Sequence, residues 1–227
     1  MRINTNVQSL NAQESATLTN NNLRNSLEKL SSGLRINKAS DDASGLAIAD
    51  KLRTQASSIG QAISNGNSAV SLTQIADKAM AEQSNIIDII KTKLIQAGTA
   101  TTSQEGRTAI AKDINKLLTQ LDNIAVQTNY NGIQLLQATE SAGVAAATTA
   151  QTFQMGEKNT NTIALGAGIR ANTTGLEGMA ALKTATSGTN ADSFAAGTAT
   201  SNMANIDSAL NQLNAWRSDV GSTQNQL

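Results

Sequence analysis

The sequence predicts a mainly α protein, a rod-like coiled-coil bundle of long helices with a small β-hairpin or irregular segment. Three observations predict it. The 227 residues contain no proline, which costs about 3 kcal/mol inside a helix. Aromatic residues make up only 2% of the chain, so aliphatic side chains must fill the core. Those aliphatic residues recur at alternating steps of three and four, the spacing that turns one helix face towards a partner helix.

The composition excludes several classes of function. The chain has no His and no Cys, so it cannot build the usual zinc sites, a thiol nucleophile, a disulfide or a histidine base. Its 17 basic and 17 acidic side chains give a net charge of zero, which argues against nucleic acid as a partner. No apolar run approaches the ~18 residues of a membrane span. We therefore expect neither an enzyme nor a cofactor or metal site.

The first helical stretch carries a narrow apolar stripe. Its residues Leu23, Leu27, Leu30 and Leu34 are separated by steps of four, three and four. A helix of this kind is marginal in water when it stands alone. We therefore predict that the stripe, together with Arg35, forms an interface with other copies of the chain.

The second helix is predicted from Ser44 to about Gly98, roughly 80 Å at 1.5 Å per residue. Asp41 and Asp42 stand before it, where carboxylates cap the free amides of a helix start. A rod of this length needs partner helices along it. We predict that its core side is formed by Ile59, Ile63, Ile86 and Ile90.

A third helix is predicted to open at Ser103 and Gln104 and to end before a turn of the Asn-Gly type at 129–132. Its spacing alternates between four and three without interruption. The predicted core positions are Ile110, Ile114, Leu117, Leu121 and Ile124.

The periodicity fades over residues 139–200. Two short runs there, 152–155 and 162–165, flank a turn-forming stretch and predict a β-hairpin. A fourth helix is expected from about Thr200 to the last residue, with Ile206, Leu210 and Leu213 in the core. Its pattern is still running at Leu227, so we expect the chain to be truncated there.

Several motifs identify a known family. Residues 30–37 read LSSGLRIN, residues 41–49 read DDASGLAIA, and residues 127–132 read QTNYNG. Together with the opening INTN, they resemble the N-terminal region of the bacterial flagellins. The resemblance covers about residues 1–138 and, more loosely, 203–227. Flagellins end with a further C-terminal helix that pairs with the N-terminal one, and this sequence departs from the family in having no such segment.

This resemblance implies a structural subunit that polymerises into the flagellar filament for motility, outside the cell. It implies export as an unfolded chain without a cleaved signal peptide. The implied partners are further flagellin copies, the flagellar export apparatus with an export chaperone, and the cap and hook-junction proteins. Residues 1–42 would form the inner-tube helix segment, 43–138 the first part of the rod, 139–202 a reduced outer segment, and 203–227 a returning rod helix.

The resemblance also bears on innate immunity. Flagellins sensed by the vertebrate Toll-like receptor carry a pair of arginines where this sequence has Ile89 and Lys91. We therefore expect weak or absent recognition, as in the flagellins of the epsilon class of proteobacteria. The positions concerned are Asp88, Ile89, Lys91, Leu94 and Gln96.

Two alternatives to a filament subunit stay open on the sequence. A hook–filament junction protein shares flagellin-like termini. A glycosylated surface or adhesion module would use the many Ser and Thr hydroxyls of residues 139–200. A metallopeptidase in the outer segment is excluded, since its metal-binding motif requires histidine.

Overall fold

The computed structural model describes residues 6–136, 151–166 and 168–227. The chain divides into two compact units, an N-terminal unit, Met1–Ser58, and a C-terminal unit, Ile59–Leu227. The helices are α1 (Val7–Ser32), α2 (Ala43–Gly98), α3 (Gln104–Gln127), α4 (Met179–Thr186), α5 (Thr189–Asp192) and α6 (Ala196–Gln226). The strands are β1 (Asn129–Tyr130), β2 (Ile133–Gln134), β3 (Thr152–Gln154) and β4 (Thr162–Ala164). The predicted mainly α class with a β-hairpin is confirmed.

The N-terminal unit contains α1, the connection formed by residues 33–42, and the start of α2. Gly33 ends α1 in the left-handed conformation, with φ of 69°, which a residue without Cβ adopts freely. Asp42 begins α2, and its Oδ1 accepts the amide of Gly45 at 2.8 Å. A Cβ on residue 45 would lie 2.4 Å from Oδ2 of Asp42, so glycine leaves room for this cap. The capping role expected of the two aspartates therefore falls to Asp42.

The start and end of α3 are set by local chemistry. The Oγ of Ser103 accepts the amide of Gly106 at 3.2 Å, which is the predicted cap. After α3, β1 and β2 pair antiparallel around Asn131 and Gly132, whose φ angles are 51° and 80°. Positive φ at both central residues defines the type I′ hairpin turn that Asn-Gly favours.

The second half of the chain differs from its prediction in part. β3 and β4 form the predicted antiparallel hairpin, with Phe153 opposite Ile163. The last helix begins at Ala196, four residues before the expected start. Two short helices, α4 and α5, precede it within the stretch where periodicity fades. The predicted outer segment also includes residues 139–150, which lie outside the described part of the chain.

The core of the C-terminal unit is aliphatic. It is built by α2, α3 and α6, and by side chains from residues 168–194, called here the irregular segment although it contains the short helices α4 and α5. Its fully buried large side chains include Met80, Ile87, Ile90, Leu94, Ile114, Leu118, Leu121, Leu136, Leu176, Met179, Leu182, Phe194, Ile206 and Leu213. Among them Phe194 is the single aromatic residue, so aliphatic packing carries this core.

One polar side chain crosses this core. Gln83 of α2 is fully buried, and its Nε2 donates to the carbonyl oxygens of Leu121 at 3.3 Å and Ala171 at 2.5 Å. A buried amide that serves two backbone carbonyls fixes the relative position of the segments that carry them. Gln83 therefore ties α2 to α3 and to the irregular segment.

Asp122 of α3 also holds the irregular segment, through contacts with Thr173 and Lys183. It accepts the amide of Thr173 at 2.8 Å and the hydroxyl of Thr173 at 2.9 Å, and it pairs with Lys183 of α4. These three charge-assisted contacts anchor residues 171–186, which have no heptad pattern of their own, to α3.

Candidate interaction surface

The surface of α1 is the most exposed apolar feature of the N-terminal unit. None of the 26 residues of α1 is buried. The α1 stripe, defined as Leu23, Leu27 and Leu30, exposes 54–80% of each side chain. Folded chains rarely leave a row of leucines in water unless a partner covers it. The structure thus places these three predicted interface residues where another chain can reach them.

The other two predicted interface residues lie beyond the helix. Leu34 is 59% exposed, and Arg35 is also exposed, but both follow Gly33 and therefore stand outside α1. The sequence spacing predicts that Leu34 continues the helical stripe, and this prediction is wrong. The left-handed Gly33 ends the helix before that residue.

The connection after α1 folds back on the last turn of that helix. Oδ2 of Asp41 accepts the amides of Asn37 and Lys38, each at 3.2 Å, and Oδ1 lies 3.2 Å from Nζ of Lys29. Lys38 in turn contacts Glu28 at 2.5 Å. These contacts tie the second half of the connection to α1. Leu34 and Arg35 line a shallow open pocket together with Leu30 of the stripe.

Those contacts shift the pKa values of two charged groups in this connection, Asp41 and Lys38. The amide of Asn37, the ammonium of Lys29 and the amide of Lys38 stabilise the Asp41 carboxylate and hold its pKa below the usual value of 3.8. The hydrogen bond to Glu28 and the charge of that carboxylate raise the pKa of Lys38 above 10.5. Both groups are therefore charged across the physiological range.

The start of α2 adds further exposed apolar side chains. Ile48 and Leu52 are each 59% exposed and lie four residues apart, on one face of the helix. Within the N-terminal unit, the large hydrophobic residues that the structure exposes are Val7, Leu10, Leu18, Leu23, Leu27, Leu30, Leu34, Ile48 and Leu52.

Most residues predicted for the rod core do pack inside the C-terminal unit. The buried ones are Ile86, Ile90, Ile110, Ile114, Leu121, Ile206 and Leu213, and those partly buried against the core are Leu117, Ile124 and Leu210. Ile59 and Ile63 are different, since 59% and 61% of their surfaces are exposed. The core assignment of these two is wrong for the single chain.

The reason lies in what surrounds this part of α2. Ile59 and Ile63 line an open groove together with Val70, Met155 and Leu227. Within the described residues only Met155 and the last residue of the chain reach this side of the helix, whereas α6 covers the later turns. The regular aliphatic spacing of α2 is thus also present in the turns around Ile59 and Ile63, which α6 does not cover.

The receptor-motif positions do not share one environment. Asp88, Ile89 and Gln96 are exposed, and 46% of the Ile89 surface is accessible. Lys91 is half-buried and pairs with Asp207 of α6, while Leu94 is fully buried in the core. A partner that docks on this face of α2 could touch the first three directly but not Leu94.

Sequence reasoning missed part of the core. Leu135, Leu176, Met179, Leu182 and Phe194 are buried, yet they lie in short elements without a long repeat. The available signal was the clustering of large apolar residues in a stretch otherwise rich in Ala, Thr, Gly and Ser. Helical periodicity cannot detect such a cluster, because its members come from turns and from α4.

Within 6–136, 151–166 and 168–227, no three His, Cys, Asp or Glu side chains gather closely enough to hold a metal ion. Among the helices described, none combines the length and the apolar character needed to cross a bilayer.

The family is decided by a match over the first part of the chain. Residues 3–141 match the model of the bacterial flagellin N-terminal helical region. The chain belongs to the bacterial flagellin family. Flagellin B of Helicobacter pylori is 53% identical over 140 residues, which cover 62% of the chain. Flagellin A of Helicobacter felis is 48% identical over 162 residues, which cover 71% of it. The predicted epsilon-proteobacterial type agrees with both flagellins.

The chain spans only part of these relatives, namely 27% of the Helicobacter pylori flagellin and 30% of the Helicobacter felis flagellin. The crystal structure of Bacillus cereus flagellin resembles the chain with a TM-score of 0.56 and 23% sequence identity. The similarity covers 71% of this chain and 82% of that flagellin. At this identity the comparison supports the fold, and the fold it supports is the helical one described above.

Proposed function

We propose that the chain is a structural subunit of the bacterial flagellar filament, located outside the cell, and that the α1 stripe forms part of its subunit interface. One observation carries this proposal: a 26-residue helix with a row of leucines has no buried residue in its own chain. Membership of the flagellin family supplies the partner, which is another copy of the same chain. A structural role fits a surface that offers contact area and no reactive group.

The size of the stripe favours many weak contacts over one strong one. Burying a fully exposed leucine gains about 1.5–3 kcal/mol. Because 54–80% of each side chain is exposed, Leu23, Leu27 and Leu30 together gain roughly 3–6 kcal/mol at full burial. Association itself costs about 4–15 kcal/mol. A single contact between two stripes is therefore marginal. A polymer in which each subunit touches several neighbours repeats the gain and makes assembly cooperative.

The segment roles follow from the same distribution. We assign residues 1–42 to the inner tube, since α1 depends on neighbours for its burial. Residues 43–138 and 203–227 would form the rod, whose core the C-terminal unit builds internally. Residues 139–202 would be the outer segment, although part of it, around Leu176 and Phe194, packs into the core.

The remaining partners are those that a filament subunit needs. Export as an unfolded chain through the flagellar apparatus, with a chaperone, is supported by the absence of cysteine, because no cross-link can obstruct threading. The cap and hook-junction proteins would meet the same surfaces as neighbouring subunits. Innate-receptor recognition would be weak, since Ile89 replaces an arginine and Lys91 is engaged by Asp207. A receptor-reporter assay showing the potency of an arginine-bearing flagellin would contradict this last point.

The interface is tested by replacing two stripe residues in the full 227-residue chain. Leu23→Gln with Leu27→Gln keeps good helix formers while removing apolar surface. Sedimentation velocity over rising concentration, with electron microscopy of the pelleted material, measures association. We expect the unmodified chain to associate and the double variant to stay monomeric.

The matched control lies on the opposite face of the same helix. Asn21→Gln with Asn25→Gln changes two exposed residues that are turned about 160° away from the stripe. This control should associate like the unmodified chain. Equal association of the stripe variant and the control, or no association of the unmodified chain, would overturn the proposed interface.

A further inference from the structure

The sequence contains the dipeptide Asn-Gly twice, at 65–66 and at 131–132. Asn-Gly is the dipeptide most prone to spontaneous deamidation, because glycine leaves its own amide nitrogen open to attack the side-chain carbonyl of the asparagine before it. The reaction needs three things: a free asparagine amide, a glycine N–H released from hydrogen bonding, and backbone freedom to close a five-membered ring. The two pairs differ in the first two, and one pair lies within a helix whereas the other lies in a two-residue turn.

The pair at 65–66 lies in the middle of α2 and is held at every point. Oδ1 of Asn65 accepts Nε2 of Gln61 at 2.9 Å, and Nδ2 of Asn65 donates to the carbonyl of Gln154 at 2.9 Å. Gly66 is buried, and its N–H belongs to the hydrogen-bond ladder of the helix. Ring closure here would require local unfolding of α2.

The pair at 131–132 forms the two central residues of the exposed β1–β2 turn. Asn131 is the one non-glycine residue of the described chain with positive φ, 51°. Within the described residues, neither the side-chain amide of Asn131 nor the backbone N–H of Gly132 makes a hydrogen bond. Asn131 and Gly132 are both exposed, and a Cβ placed on Gly132 would meet no heavy atom within 4 Å, so the turn is open to solvent.

We propose that Asn131 is a site of spontaneous covalent modification, at which folding leaves deamidation open while it blocks the same reaction at Asn65. The Gly132 nitrogen loses its proton to water or hydroxide and attacks Cγ of Asn131. The new N–Cγ bond closes a succinimide, and the Cγ–Nδ2 bond breaks as Nδ2 takes a proton from water and leaves as ammonia. Water then opens the ring at one of its two carbonyls, giving aspartate or isoaspartate.

The product changes a turn that leads directly into the core. Either product adds one negative charge. Isoaspartate also routes the backbone through Cβ, which adds a methylene to the main chain of a two-residue turn. The pairing of Tyr130 with Ile133 then cannot keep its register. Leu135, two residues after Ile133, is buried. Its amide donates to the carbonyl of Thr128, the residue that ends α3, at 3.1 Å. Isoaspartate therefore loosens the end of α3, and aspartate leaves it in place.

The test ages the full chain at mildly alkaline pH and physiological temperature and follows both asparagines by peptide mapping with mass spectrometry. Replacement of the amide by a carboxylate gives the mass increase, and elution against the peptide of the Asn131→Asp variant separates aspartate from isoaspartate. We expect Asn131 to react at least about tenfold faster than Asn65, because reaction at Asn65 requires opening of a packed helix.

The same chain in concentrated urea is the control, since unfolding removes every structural difference between the two sites. The two rates should converge there, with the rate at Asn65 rising most. Equal rates at the two sites in the folded chain, or no reaction at Asn131 while the unfolded chain reacts, would overturn the proposal. Neither outcome depends on whether the chain polymerises.

Discussion

α1 and α3 are alike in sequence character and opposite in environment. They have 26 and 24 residues, and each begins with a side-chain cap, from Asn6 in α1 and Ser103 in α3. Each carries aliphatic residues at steps of three and four. Yet α3 buries Ile110, Ile114, Leu118 and Leu121, and α1 buries nothing. The difference shows that heptad spacing specifies a helix and its apolar face. It does not specify which residues cover that face.

The largest test of this comparison removes one leucine from each helix. Leu121→Ala in α3 opens a cavity in a fully buried position and should cost about 2–5 kcal/mol. Leu27→Ala in α1 removes a side chain that is 54% exposed and should change the stability of the single chain by less than about 0.5 kcal/mol. Urea unfolding followed by the fluorescence of Trp216, which packs against the core, measures both.

In an association assay we expect the opposite order, with Leu27→Ala having the larger effect and Leu121→Ala the smaller. Leu27→Ala should weaken self-association, since the methyl groups it removes are those that a neighbour would bury. A Leu27→Ala chain that loses as much stability as Leu121→Ala would mean that α1 already packs within its own chain, and the contrast between the helices would fail.

The same contrast explains how far the sequence could predict this molecule. Long helices with clear spacing, such as 43–98 and 104–127, are predictable to within a residue at each end, because many repeated positions agree. Ile59 and Ile63 are assigned to the core because their spacing is regular, and spacing alone does not reveal which turns of α2 are covered. Phe194 and Leu182 are missed because they reach the core from short elements fixed by tertiary contacts, notably those of Asp122. For the α1 stripe the residues are identifiable, and the structure leaves them exposed.

A second test compares one ion pair in each unit. Asp122 of α3 is 22% exposed and serves Lys183 and both the amide and the hydroxyl of Thr173. Asp122→Ala leaves all three without their acceptor and should cost about 1–3 kcal/mol. Glu28→Ala in α1 breaks the exposed pair with Lys38, which water and salt replace, so no measurable loss is expected. Thermal unfolding by circular dichroism compares them.

High salt separates the two cases further. It should leave the cost of Asp122→Ala nearly unchanged, because the partly buried carboxylate is weakly screened. If added salt cancels the effect of Asp122→Ala, that carboxylate acts only as a surface charge, and the irregular segment must be held by its apolar contacts alone.

The smallest effect concerns pH and is confined to the N-terminal unit. Because the native contacts lower the pKa of Asp41 below 3.8, the unfolded chain binds this proton more readily than the folded one. The stabilisation is therefore complete above about pH 4 and is lost as the pH falls through the lower native pKa. Carboxyl and amide NMR shifts across this range should show Asp41 titrating together with the amides of Asn37 and Lys38. Asp41→Asn should abolish that step. A midpoint at or above 3.8 would mean that the connection does not hold the carboxylate.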